Sequence, residues 1–110
     1  MQDRQLTKEM ELRKIRLHIL ENVEHHPRGL PVFLQEKYGI RRVYIYIELR
    51  RLIKERILTY EGYTRAKIYS IVDADHARAM CERLRPVVAK EQKLLTEGGV
   101  FKRSLSGLTI

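Results

Sequence analysis

Residues 41–54 bring five cationic side chains and a tyrosine into one short stretch: Arg41, Arg42, Tyr46, Arg50, Arg51 and Lys54. At about 3.6 residues per helical turn, Arg42, Tyr46 and Arg50 recur on one side of a helix. A guanidinium offers a planar fork of N–H donors that matches paired acceptors, as a phosphate or the edge of a purine presents them. Arg28 precedes this stretch, and Arg65 and Lys67 follow it. These cations suit a polyanion, because neutralising its charges releases bound counterions.

Other chemistries find less support. His25 and His26 are adjacent, His18 lies earlier, and His76 is distant. No cysteine pair or acidic cluster joins them, so the spacing does not make a transition-metal site. Cys81 stands five residues after His76, about 140° round a helix, so the two do not form a nucleophile–base pair. No phosphate-cradling glycine loop and no paired catalytic carboxylates occur. The expectation is a non-enzymatic chain without cofactor or metal, and no small-molecule ligand is inferable from residue types alone.

The charge distribution sharpens the polyanion reading. The 110 residues carry a net charge of +8. Residues 1–27 hold five Lys/Arg and five Asp/Glu, whereas residues 28–67 hold ten against four. The excess therefore sits on the segment that carries the arginines. Hydrophobic residues make up 44% of the chain, enough for a core. No apolar run approaches the ~20 residues of a membrane span. The first residues lack the apolar core of a secretory signal. With a single cysteine, these features imply a cytoplasmic setting, in contact with the nucleoid if the polyanion is DNA.

The elements that position these residues follow from periodicity. A first helix is expected from about Thr7, with Leu12, Ile15, Ile19 and Val23 on one face, ending before Pro27. A second spans Leu30 or Pro31 to Tyr38, with Val32, Phe33, Leu34 and Tyr38 inward. Gly39 suits a left-handed helix end, and Ile40 plugs the turn. A third helix covers Arg42 to Glu55, burying Tyr44 or Ile45, Leu49, Leu52 and Ile53. Its opposite face carries Arg42, Val43, Tyr46, Ile47 and Arg50. The run Val43-Tyr44-Ile45-Tyr46-Ile47 has strand propensity, but the period continues past strand length and favours a helix. Ile57–Tyr60 and Lys67–Val72 then form a hairpin with Arg65 at its tip. Asp73 or Asp75 caps a fourth helix whose apolar face holds Ala77, Met80, Cys81 and Leu84. Pro86 kinks or ends it, the other course being a continuation through Val87, Val88, Glu91, Leu94 and Leu95. The fold class is mainly α with a small β-hairpin. Residues 1–72 form one unit and 73–110 a C-terminal helical extension with a loose tail.

From about Leu12 to Val72 the chain resembles the winged helix-turn-helix domains of bacterial transcriptional regulators. The glycine at Gly39, the aliphatics at Ile40, Ile45, Leu49 and Leu52, and the strand starting near Ile57 carry the likeness. Many such domains have a small residue where Tyr44 stands and glycine where Arg56 stands. Polar residues usually occupy the positions of Val43 and Ile47. The resemblance implies a third helix in the major groove of double-stranded DNA and a hairpin wing on its flank.

The expected function is sequence-specific DNA binding by a small regulator, most simply a repressor. Its DNA-contacting set is Arg28, Arg41, Arg42, Val43, Tyr46, Ile47, Arg50, Arg51, Lys54, Arg65 and Lys67. The expected partner besides DNA is a second copy, paired through Met80, Leu84, Val88, Leu94 and Leu95. The second reading is a protein-interaction module using Val43, Tyr46 and Ile47, with a DNA-replication or partition factor as a further variant.

Overall fold

A computed structural model describes residues 2–63 and 67–94 of the chain, with side chains from residue 8. The elements run α1 (Gln2–Asn22), α2 (Leu30–Tyr38), α3 (Arg42–Lys54), β1 (Leu58–Glu61), β2 (Ile68–Ile71) and α4 (Ala74–Lys93). The architecture is mainly helical with a small antiparallel sheet of two strands. Among the described residues, no helix is long and apolar enough to cross a membrane.

On α1, Leu12, Ile15, Ile19 and Val23 are buried on one face, as the spacing predicts, with Leu17 and Leu20 widening it. The helix begins at Gln2 rather than near Thr7. Gln, Arg, Leu, Lys and Glu dominate residues 2–11, and all are good helix formers. No glycine or proline interrupts them, so the helix propagates back past the expected cap.

The ends of α2 are as predicted, and Gly39 takes φ 67° with its N–H donating to the Gln35 carbonyl. Its inner face differs. Leu30, Pro31 and Leu34 are buried, whereas Val32 and Tyr38 are exposed and Phe33 is half-buried. A turn of about 100° per residue cannot aim Val32, Phe33 and Leu34 at one core. The i, i+4 pair Leu30 and Leu34 takes the core, and the Phe33 ring stacks on His26 at 3.6 Å.

Helix α3 forms despite its β-branched run. Ile45, Leu49 and Leu52 are buried at helical spacing, and this burial outweighs local strand propensity. Tyr44 and Ile53 reach the core only in part. The end of α3 is a left-handed cap. Arg56 has φ 64°, its N–H donates to the Ile53 carbonyl, and the Ile57 N–H donates to the Leu52 carbonyl, each at 3.0 Å. These two bonds satisfy carbonyls that the helix end would orphan, and Ile57 and Leu52 are both fully buried.

The hairpin pairs Leu58 with Ile71 and Tyr60 with Tyr69. Its base is closed by the Val72 N–H donating to the Ile57 carbonyl at 2.8 Å. Its other edge is not left open. The Tyr69 N–H donates to the Pro27 carbonyl at 2.9 Å, and Arg28 bridges Ile68. The connector after α1 thus ties the sheet to the helices.

Asp73 caps α4, its Oδ1 accepting from the His76 N–H at 3.0 Å. The helix continues through Pro86 to Lys93, the course that the apolar residues after the proline allowed. Pro86 and Glu82, whose carbonyl loses its partner, are both exposed, so that carbonyl is not stranded in the core. Residues Ala77, Met80, Cys81 and Leu84 are buried in the same core cluster as the inner face of α1. Two ion pairs fasten the helices antiparallel, Arg85 with Glu21 and Arg13 with Glu91. Met80 and Leu84, expected at an interface between copies, are therefore spent within one chain, and Val88 is partly buried against the same core. An amphipathic helix alone does not reveal whether its apolar face meets its own chain or another. Leu94 is exposed, and Leu95 lies outside the described residues.

Candidate nucleic-acid interface

Helix α3 is amphipathic in three sectors. Its core side holds Ile45, Leu49, Leu52 and Glu48. Its hairpin side carries Arg42, Tyr46 and Ile53, and these line an open groove with Arg50, Lys54, Tyr60, Lys67 and Tyr69. The groove measures about 670 Å³. A smaller hollow of about 280 Å³ continues it past Arg42, Tyr46 and Lys67 to Gly29 at the start of α2. Among the described residues no carboxylate lines either one. The arrangement presents two arginines, two lysines and two tyrosines, Tyr46 and Tyr60, on one concave strip above Tyr69.

The side chains are partly organised. The Arg42 Nε and Nη2 donate to Gln35 Oε1 at 3.3 and 3.1 Å, which steadies the guanidinium above α2. The Lys67 ammonium sits 4.5 Å from the centroid of the Tyr60 ring. Tyr69 is buried beneath the strip, and burial pushes its phenol up to about 12, so it stays neutral. Arg41 is exposed and is the N-cap of α3, with no side chain capping that helix end. Arg28 is exposed at the sheet edge opposite Ile68, the neighbour of Lys67.

Several expected members stand elsewhere. Arg51 lies on the flank facing α1, with its Nη1 3.3 Å from Glu48 Oε2. Ile47 and Tyr46 are half-buried and pack against the core, so Val43, 59% exposed, is the one freely accessible aliphatic of that trio. Arg65 lies outside the described residues.

Sequence reading missed the device that sets the rotation of α3. Glu48 of α3 is fully buried. Arg16 of α1 donates from Nε to its Oε1 at 2.8 Å. Arg51 is close enough to Oε2 for an ion pair but is not aligned for a hydrogen bond, so that oxygen receives none. A carboxylate three residues after Ile45, within the buried stripe, was the available signal. Its partner on α1 lies 32 residues away and carries no sequence signature.

Among the described residues no group of three or more His, Cys, Asp or Glu side chains could hold a metal ion. His18 is half-buried and stacks on Tyr38 at 3.9 Å, with neither ring nitrogen hydrogen-bonded. Burial, aided by Lys14, lowers its pKa. Burial likewise raises the Cys81 thiol, which keeps it protonated and inert. Compared with models of known families, with curated proteins and with solved structures, the chain matches none.

Proposed function

We propose that this protein binds double-stranded DNA as a winged helix-turn-helix module, with α3 in the major groove and the hairpin along its flank. One observation carries the reading: the strip between α3 and the hairpin gathers Arg42, Arg50, Lys54 and Lys67 with no carboxylate among the described residues that line it. The order of three helices then a hairpin supports it, as do the left-handed Gly39 turn and the edge bridge from Arg28. Arg42 is the candidate for base reading, because a guanidinium held by Gln35 still has donors free for guanine O6 and N7. Arg50, Lys54, Lys67 and Arg28 serve the phosphates. The role is that of a regulator, most simply a repressor by occlusion, working where chromosomal DNA is accessible in the cytoplasm. Among the described residues of α4 and its C-cap, Val87 and Leu94 are the exposed large apolar side chains that could pair two copies on a palindromic site.

The test is a salt titration of binding to random and genomic duplexes. Lys54→Ala and Lys67→Ala each reduce the log–log salt slope by about 0.9 per lost phosphate contact, evenly across sequences. Arg42→Ala weakens selected sequences most, by about 1–3 kcal/mol. Arg51→Ala leaves the slope unchanged. No affinity at low salt, or a slope blind to Lys54 and Lys67, overturns the reading. The protein-interaction alternative draws on Val43, but Tyr46 and Ile47 offer it little free area.

A further inference from the structure

The flank of α3 opposite the hairpin holds a second cavity, of about 590 Å³, between α1 and the turn that precedes α3. Its size falls within the range of small-molecule sites, about 300–1,000 Å³. Ile15, Ile40 and Tyr44 give it apolar walls, and the Tyr38 ring, held in a stack on His18, forms another. Lys8, Lys14 and Arg41 stand at the polar part of the lining against the single carboxylate of Glu11. None of these three cations has an ion pair among the described residues. Arg41 adds the uncapped positive end of α3 to the same place.

We propose that this cavity binds a small organic carboxylate, its aryl or short acyl body against Ile15, Ile40 and Tyr44 and its anionic head among Lys8, Lys14 and Arg41. An apolar body alone would leave the three cations at the rim without a counter-charge, and a bare anion would leave the apolar walls wet. Only a molecule with both parts satisfies both halves of the lining. The head group meets a guanidinium fork, which suits two coplanar oxygens. The stacked Tyr38 and the fixed Gly39 turn pre-form the site, so little ordering entropy opposes binding. The proposal is independent of whether the other flank of α3 meets a duplex.

The experiment is a ¹H–¹⁵N NMR titration of the full chain with benzoate, phenylacetate and octanoate, each beside its neutral amide. At least one carboxylate produces saturable shifts confined to residues 8–15 and 38–44, with millimolar or tighter affinity. Its amide binds at least about tenfold more weakly, as does the carboxylate to Lys14→Gln and to Arg41→Gln, the loss expected when a charge-assisted hydrogen bond of about 1.4 kcal/mol is removed. Four results overturn it. These are no saturable shift by about 10 mM, equal binding of acid and amide, shifts centred on Arg50 and Lys54 instead, and the same shifts produced by protein concentration alone. The last would assign the cavity to a second copy of the chain.

Discussion

Arg56 sits at φ 64°, where a side chain other than glycine costs about 1–2 kcal/mol. The Arg56→Gly variant is therefore expected to be more stable by about 1 kcal/mol, since glycine's own unfolded-state entropy takes back part of the gain. Thermal denaturation should show a rise of about 4–8 °C, and an unchanged midpoint would mean the left-handed cap carries little strain. His18 makes a second residue-scale prediction. Its folded pKa lies below its ordinary value, so the unfolded chain takes up the proton first as pH falls. Stability is then complete above about pH 6.5 and declines below it, until the folded pKa is reached. His18→Phe keeps the stack on Tyr38 and should flatten this decline between pH 7 and 5. A decline of equal size in the variant would assign it to other groups. The strain at Arg56 was legible in the sequence, because the resemblance expects glycine there. The state of His18 was not, since its burial depends on Tyr38 arriving from another helix.

At the scale of elements, α3 is clamped to α1 by Arg16 and Glu48. Removing Arg16 leaves the buried Glu48 with no hydrogen bond and only the unaligned Arg51 as counter-charge, whereas removing both leaves mainly a packing change. Arg16→Met should destabilise by about 3 kcal/mol in chemical denaturation, and Arg16→Met with Glu48→Met should recover most of that loss. Two additive penalties would mean the clamp does not couple the helices. The hydrophobic stripe of α3 was readable because Ile45, Leu49 and Leu52 repeat at helical spacing. Glu48 within the stripe was not assigned, because only the packed pair shows that Arg16 meets it. The inner face of α2 was misread for a related reason. Val32, Phe33 and Leu34 are all apolar, and only packing decides that Leu34 takes the core.

For the molecule as a whole, α3 stands between two surfaces of different kind. One flank is a basic strip toward the hairpin, and the other is the amphipathic cavity toward α1. Arg41 belongs to the cavity and to the DNA-contacting set expected from the sequence. Once the duplex and a carboxylate probe each bind singly, a saturating probe should weaken duplex affinity several-fold in a gel shift, by competition for Arg41. Unchanged affinity would separate the two surfaces. Raising salt should weaken the duplex far more than the probe, because the duplex releases many counterions and the probe neutralises one charge.

The helical periods, the Gly39 turn, the hairpin and the concentration of charge between residues 28 and 67 were all set by local residue order. Each can be read from spacing along one element or from the φ preference of one residue, although in α3 the burial of its stripe has to outweigh local strand propensity. Tertiary structure alone decided that Met80 and Leu84 face α1, that Arg51 turns away from the basic strip, and that a cavity opens beside Arg41. Each of these depends on which face of one helix meets which face of another. That outcome is a competition among apolar stripes for a single core, and it has no representation in the period of any one of them.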